Sequence, residues 1–189
     1  DSSQRVLDLK REDVDIAIRY GVPPEDGLVI KRLFKDLVLP ACSPNMPGIP
    51  QNLEDLTQAP LIHWDLSQMP WAREASRWFD WSTWFEQHGI HDVDVSKGLR
   101  FNDYGLAVQA AISGQGVLLA GWPALQDTME ADLLVCPLPK HIHATDIGFD
   151  VVTTEAAAQK PSVLSFVDWL VQIAEESSSS VFLESDQDY

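Results

Sequence analysis

The amino-acid sequence predicts an α/β fold. Short runs rich in β-branched residues alternate along the chain with stretches in which apolar residues recur at helical spacing. Clusters of Gly, Pro and Asn separate the two kinds of segment, as turns require. This alternation is typical of right-handed β-α-β units with mostly parallel sheets, and no internal repeat is apparent.

The first half of the chain is predicted to contain short strands between capped helices. Ser3 is placed to cap a helix over residues 4–13, and Asn52 to cap a short helix over residues 53–56. The strands predicted in this half cover residues 14–19, 28–33, 36–42 and 59–63.

Aromatic residues are concentrated between residues 69 and 88. Helical spacing places four ring side chains on one face, namely Trp81, Trp84, Phe85 and His88, and Gly89 follows as a C-terminal stop. We interpret this segment as an aromatic-rich helix packed on a sheet, and an aromatic ligand cage is the alternative.

The second half of the chain repeats the alternation. A strand over residues 98–101 leads to Asn102 or Asp103, either of which can cap a helix over residues 104–113 that ends at Gly114. The remaining predicted strands cover residues 117–120, 133–136 and 147–153, and the remaining helices cover residues 122–130 and 163–176, the last of them capped by Ser162.

Length and composition exclude several classes of protein. The 189 residues are 45% hydrophobic and 22% charged, which suits one globular unit or two small ones. A chain of this length can bury a core without disulfides or a metal, and seven Trp and seven Phe argue against disorder. It contains no run of 18 apolar residues that could span a membrane, and no signal-peptide core is visible at its start.

The net charge argues against polyanionic partners. The 13 Lys and Arg residues face 29 Asp and Glu residues, a formal charge of −16. Nucleic-acid affinity depends mainly on basic side chains that neutralise phosphates, so this stretch is a poor DNA or RNA binder and is unsuited to anionic membranes. Residues 177–189 hold a run of serines and no basic residue, which predicts an acidic flexible tail; an acidic interaction tail is the alternative.

Motifs of catalysis and metal binding are scarce. Cys42 and Cys136 lie far apart in apolar runs, which predicts buried thiols and suits a reducing cytoplasm. His141 and His143 have a spacing that can ligate a metal, but the sequence offers them no clear further ligand, so we expect loop histidines at the surface. His63 and His88 are expected to be structural. We therefore predict no enzyme, no metal and no cofactor.

Candidate binding residues follow from a general rule for open parallel sheets. Ligands of such sheets bind beyond the carboxyl ends of the strands, near the starts of helices. Helix starts would favour a carboxylate or a strongly polar ligand, although the charge of Asp103 weighs against a dense anion. The residues selected in this way are Ser2, Ser3, Tyr20, Trp64, Asn102, Asp103 and Trp122.

A series of motifs in fixed order suggests a family. The motifs are VDIAIRYG, DLVLPACSP, LEDLTQAPLIHW, W-x-x-WFEQHG, GLRFNDYGLAVQAAISGQGVLLAGWPAL, ADLLVCPL and KPSVLSFVDWLVQIAEE. Over residues 2–176 the chain resembles the effector-binding domain of LysR-type transcriptional regulators, most like the branch typified by the glycine-cleavage regulator.

This resemblance implies two Rossmann-like α/β subdomains joined by two crossover strands, as in type 2 periplasmic binding proteins. Residues 1–42 and 145–176 would form the first subdomain and residues 43–144 the second. A small effector would bind in the cleft between them, and the motifs place Ser2, Ser3, Tyr20, Trp64, Asn102 and Asp103 at family effector positions, in agreement with the strand-end rule.

The chain departs from the family pattern at its start. The winged helix-turn-helix domain, its linker helix and the first strand and helix of the first subdomain are not seen before Asp1, so we expect an N-terminally truncated chain with an incomplete first subdomain. Residues 66–80 also look longer and richer in Trp than the usual connection.

The functional hypothesis is the ligand-sensing domain of a bacterial LysR-type regulator in the cytoplasm. Such domains assemble as homodimers or tetramers and contact DNA through the domain that is not seen here. An extracytoplasmic solute-binding protein of the same fold is the alternative, and an enzyme using His63, His141 or Cys42 is a less favoured rival.

Overall fold

The structure, a computed structural model, describes residues 7–21, 26–69, 72–122 and 124–184. The chain divides into two compact units, the first formed by Asp1–Lys35 with Asp146–Tyr189 and the second by Asp36–Thr145. The division falls earlier than the predicted boundary after residue 42, because residues 37–41 pair with a strand of the second unit.

The described residues form six strands and six α-helices. In chain order these are β1 (Ile16–Tyr20), β2 (Leu28–Ala41), α1 (Leu53–Gln58), β3 (Leu61–Trp64), α2 (Arg73–Trp78), α3 (Trp81–Gln87), β4 (Leu99–Phe101), α4 (Tyr104–Ile112), β5 (Val117–Trp122), α5 (Gln126–Glu130), β6 (His143–Thr154) and α6 (Pro161–Glu184). Because β2 and β6 each contain residues of both units, they correspond to the two predicted crossover strands.

In the first unit, β6 lies between β1 and β2. It pairs antiparallel with β1, from Ile16 opposite Thr153 to Tyr20 opposite Phe149. Gly148 permits a close approach of β6 to β2, since a Cβ there would lie 2.0 Å from the carbonyl oxygen of Phe34. An ion pair also joins the two strands.

That ion pair joins a partly exposed arginine to a buried carboxylate. The Arg32 Nε donates to Asp150 Oδ1 at 2.5 Å, and the Asp150 side chain is buried. α6 adds a second layer, with Val163 and Ala174 buried and Lys31 paired to Asp168 at 3.3 Å.

In the second unit the strand order is β2-β5-β3-β4. β3 pairs in parallel with both β4 and β5, as predicted, whereas β2 pairs antiparallel with β5. The small residues Ala107, Ala110 and Ala111 on the inner face of α4 let this helix lie close to the sheet over Ile62 and Leu118.

The aromatic helix α3 packs as predicted. Trp81, Trp84 and Phe85 are all buried, and the Trp81 indole N–H donates to the Ile62 carbonyl at 3.0 Å. Asp80 caps the helix by accepting from the Thr83 amide at 2.8 Å. The indoles of this helix therefore belong to the core, and the ligand-cage alternative does not apply to them.

Several predicted elements differ in the structure. The described part of the predicted first helix forms only a turn, in which the Arg11 and Glu12 amides donate to the Asp8 carbonyl. The two strands predicted over 28–33 and 36–42 are one long strand, β2, because its two ends pair with different neighbours. Residues 133–136 make only an isolated bridge between Cys42 and Val135.

The last helix also differs at both ends. It starts at Pro161, whose missing N–H costs nothing in the first turn, so Ser162 is not its cap. α6 continues to Glu184, whereas the sequence predicts a flexible tail from residue 177. Residues 185–189 of that tail lie outside the described residues.

Candidate functional site

The predicted site residues fall at strand ends in each unit where the structure describes them. Trp64 ends β3, Asn102 and Asp103 join β4 to α4, and Trp122 ends β5, all in the second unit. Tyr20 ends β1 in the first unit. Ser2 and Ser3 lie outside the described residues.

Tyr20 belongs to a small group of rings in the first unit. Its ring centre lies 4.9 Å from that of Phe149 on β6, and Phe149 lies 5.1 Å from Phe34 on β2. Gly21 follows with φ of 63°, the left-handed conformation that lets the chain turn away directly after β1. Tyr20 is thus held by packing at the carboxyl end of its strand.

In the second unit Trp64 is part of an aromatic cluster, which we define as Trp64, Phe79 and Tyr104. The Trp64 ring centre lies 4.7 Å from that of Tyr104 and 5.1 Å from that of Phe79. Phe79 and Tyr104 were not among the sequence candidates. Tyr104 could have been found as the first helical residue after the predicted cap, but Phe79 reaches the cluster from the segment between α2 and α3.

The Tyr104 hydroxyl is fixed beneath this cluster. It accepts a hydrogen bond from the Gly121 amide at 2.9 Å. Burial, with a smaller contribution from the charge of Asp36, raises the pKa of Tyr104, so the hydroxyl stays protonated at neutral pH. The protonated hydroxyl of Tyr104 is therefore held beside Gly121, near the end of β5.

A buried carboxylate, Asp36, lies beside the same strand end. Its side chain is 2% exposed, and a Cβ built on Gly121 would lie 2.8 Å from its Oδ2 atom and 3.4 Å from Phe79 Cζ. The absence of a side chain at Gly121 is what makes room for both groups. Sequence reasoning missed Asp36 because it begins an apolar run that was interpreted only as a strand.

The start of α4 is already occupied by a charge. Asp103, rather than Asn102, is the cap, and its Oδ1 atom accepts from the Leu106 amide at 3.0 Å. The Asn102 side chain is exposed. Since the Asp103 carboxylate faces the helix start, this end of α4 disfavours a dense anion.

A cavity of about 320 Å³ adjoins the aromatic cluster and shares Trp64 and Phe79 with it. Arg100 and Asp80 contribute charged groups to its lining, and the buried His63 ring lies there with its Nε2 atom 3.1 Å from the Lys97 carbonyl oxygen. A larger cavity of about 640 Å³ lies where β3 begins, lined mainly by residues 57–61 and 90–94. The smaller cavity is the one at the carboxyl end of β3, where ligands of such sheets bind.

The histidines expected to lie apart come together. His141 and His143 pack against His88, with ring centres 4.8 Å and 4.6 Å away. All three are partly exposed; His141 lies in a loop, whereas His143 is the first residue of β6. Among the described residues, no group of three or more His, Cys, Asp or Glu side chains is arranged to hold a metal ion.

The two cysteines are unsuited to nucleophilic chemistry. Burial raises the pKa of Cys42 to about 11, and burial raises that of Cys136 to about 11 as well.

Within the described part of the chain, none of the helices combines the length and the apolar character needed to cross a bilayer.

Comparisons with known proteins place this geometry in a family context. The sequence model described as the LysR substrate binding domain matches residues 1–175. The glycine cleavage system transcriptional activator of Escherichia coli K12 is 33% identical over 170 residues, which cover 88% of this chain and 52% of that protein. The transcriptional regulator PerR of the same strain is 29% identical over 165 residues, 86% of this chain and 51% of that protein. The chain thus spans about half the length of the curated relatives it matches.

Solved structures share the fold. The effector domain of the regulator AmpR from Pseudomonas aeruginosa superposes with a TM-score of 0.74 at 20% identity, covering 95% of this chain and 82% of that one. The effector binding domain of AmpR from Citrobacter freundii superposes with a TM-score of 0.72 at 20% identity, covering 92% and 81%.

Proposed function

Because the chain belongs to the LysR substrate-binding domain family, we propose that it is the ligand-sensing regulatory domain of a bacterial DNA-binding transcription regulator. The observation that carries this proposal is the grouping of Trp64, Tyr104 and Asp36 around Gly121 at the carboxyl ends of β3 and β5. Polar groups buried beside aromatic rings at a strand end suit recognition of a small molecule.

The effector-binding residues that we propose are those selected from the sequence, together with two that the structure adds. The added residues are Asp36 and Tyr104. The residues selected from the sequence are Ser2, Ser3, Tyr20, Trp64, Asn102, Asp103 and Trp122.

The chemistry of the second unit favours an amino acid over a dense anion as the effector. Asp36 supplies a buried carboxylate near Phe79 and Gly121, and this negative charge attracts a positively charged group. The Tyr104 hydroxyl supplies a donor for a carbonyl or carboxylate oxygen. Asp103 repels further negative charge at the start of α4.

Regulation would follow from differential binding. An effector that binds one arrangement of the domain more tightly shifts the population toward that arrangement, and the shift is passed to associated subunits. We propose that the domain works in the cytoplasm as part of a homodimer or tetramer, that it contacts DNA through a further domain of a longer chain, and that it performs no chemistry on the effector. The curated relatives named above are transcriptional regulators, and none favours the solute-binding alternative.

A ligand screen followed by site variants tests the proposal. Thermal shift with amino acids and small carboxylates identifies a ligand, and calorimetry then gives its affinity. We expect Trp64→Ala and Asn102→Ala to weaken binding about tenfold or more, since each removes a contact at the strand ends. Trp169→Ala and Asn45→Ala are matched controls, because both side chains are exposed and neither is a proposed site residue.

The controls decide the outcome. Circular dichroism establishes that each variant is folded before its affinity is compared. If both site variants bind as tightly as the wild type, the strand-end site is wrong. A screen in which no amino acid or small carboxylate raises the melting temperature contradicts the proposed class of effector.

A further inference from the structure

A second group of polar side chains lies at the far end of α3, and we call it the histidine cluster: His88, His141 and His143 with Trp84. The His88 ring stacks on Trp84 with 3.8 Å between ring centres, and its Nδ1 atom is 2.8 Å from the Trp84 carbonyl oxygen, to which it donates. His143 contacts the His88 ring as well, with its Nε2 atom 3.2 Å from His88 Nε2.

The ring orientations argue against a metal site. The His88 and His143 planes are perpendicular, and His143 Nε2 lies 3.2 Å from one nitrogen of His88 and 3.4 Å from the other. His143 therefore points at the flat side of the His88 ring, where no lone pair projects. Lone pairs of the two rings do not converge on a common point as metal ligation requires.

The spacing of the three imidazole rings makes simultaneous protonation of neighbouring rings unfavourable. If two neighbouring rings carried a proton at once, their ring centres would lie less than 5 Å apart and the two cations would repel each other. Burial, followed by the charge of His88, lowers the pKa of both His141 and His143.

The charged groups around the cluster are mainly its own members. His88 acts on His141, and His88 and His141 act on His143. The other titratable side chains nearby in sequence are Glu86 on α3, Lys140 before His141 and Asp146 on β6, and all three are exposed. Solvent therefore screens them, whereas the repulsion among the partly buried imidazoles is screened less.

One member of the histidine cluster begins a strand whose residues belong to both units. His143 is the first residue of β6, and β6 contains residues of both units. Two residues further on, the buried Thr145 hydroxyl donates to the Asp36 carbonyl in β2 at 2.9 Å. Loss of the packing around His143 would therefore act on the first residue of β6, two positions before this hydrogen bond.

We propose that the histidine cluster is a proton-sensitive latch, which holds the start of β6 against α3 at neutral pH and releases it as the solution becomes acidic. A group whose pKa is lowered by folding stabilises the folded state at pH values above its unfolded pKa, which is about 6.5 for histidine. That stabilisation is lost as the pH falls through the lower, folded pKa. The latch does not depend on the identity of the effector or on the proposed effector site.

Amide hydrogen exchange as a function of pH tests the latch. Protection of residues 141–147, corrected for intrinsic exchange rates, is compared at about pH 7.5 and about pH 5.5 in three proteins. In the wild type we expect a loss of about fivefold or more at the lower pH. The double variant His141→Gln, His143→Gln should show little change, because its side chains stay neutral. His91→Gln, which removes an exposed histidine, should behave as the wild type.

Two results would overturn the latch. One is protection of residues 141–147 that does not change with pH in the wild type. The other is a loss of protection that is equally large in the double variant. If the double variant does not fold, an NMR titration of the wild type decides the matter: His141 and His143 must titrate below the ordinary histidine range, and ordinary midpoints for both contradict the proposal.

Discussion

Two groups of aromatic residues in the second unit have similar composition and different character. The α3 face, formed by Trp81, Trp84 and Phe85, is at most 1% exposed. The aromatic cluster of Trp64, Phe79 and Tyr104 instead surrounds polar groups, because Asp36 and the Tyr104 hydroxyl lie against Gly121.

The contrast shows that abundance of aromatic residues is a poor guide to a binding site. Rings that are almost completely buried, like those of the α3 face, contribute to stability through that burial. A carboxylate or hydroxyl enclosed by rings loses its hydration, which destabilises the fold. Such a loss of stability is tolerated at a binding site, where the polar groups are needed to recognise a polar ligand. Changes in the α3 face should therefore affect folding, and changes around Gly121 should affect binding.

The largest effect is expected from Trp81→Ala. This change removes a buried indole and its hydrogen bond to the Ile62 carbonyl, and it leaves a cavity against the sheet. We expect the free energy of unfolding to fall by about 3–5 kcal/mol, as measured by urea denaturation. Trp169→Ala is the matched control, because Trp169 is 52% exposed and should change stability by less than about 1 kcal/mol. Equal losses in the two variants would remove the distinction between core and surface indoles.

A smaller effect on stability and a larger one on binding are expected from Gly121→Ala. The added methyl group would lie 2.8 Å from Asp36 Oδ2 and 3.4 Å from Phe79 Cζ, so one or both must move. We expect a loss of about 1–3 kcal/mol of stability and a fall in effector affinity of about tenfold or more. Calorimetry on the folded variant gives the affinity. Unchanged affinity would show that the groups around Gly121 do not contact the effector.

Local sequence signals predicted the elements that present the site. Caps at Asn52 and near Asp103 and the helical spacing of Trp81, Trp84 and Phe85 depend on neighbours within one turn, and the structure has all of them. The strand-end rule likewise placed Trp64 and Trp122 at the ends of their strands.

What the sequence did not predict comes from long-range pairing. Asp36 reaches Gly121 because β2 and β5 pair in antiparallel register, with Leu37 opposite Trp122. His143 reaches His88 across more than fifty positions of the chain, and Phe79 reaches Trp64 from a segment with no periodic signal. Register between distant strands is set by the whole sheet, so no local pattern reports these contacts.

The smallest of these effects concerns His63, which lies on β3 next to the aromatic cluster. Burial, which outweighs the hydrogen bond with the Lys97 carbonyl, lowers the pKa of His63. Between the folded and unfolded pKa values the unfolded chain binds more protons, so stability decreases as the pH falls from the unfolded value, about 6.5, toward the folded one. His63→Gln should therefore reduce the slope of stability against pH below about pH 6.5, measured by urea denaturation at a series of pH values.

The slope of stability against pH can distinguish the contribution of His63, beside the aromatic cluster, from that of the histidine cluster at the end of α3. His141 and His143 contribute a slope of the same sign, so His63→Gln should remove part of the pH dependence, and combining it with His141→Gln and His143→Gln should remove more. The exposed His91 provides the control, and His91→Gln should leave the slope as it is in the wild type. If His63→Gln leaves the slope unchanged while the double variant abolishes it, the pH dependence of stability comes from the histidine cluster alone. His63 then only lines the cavity beside Trp64.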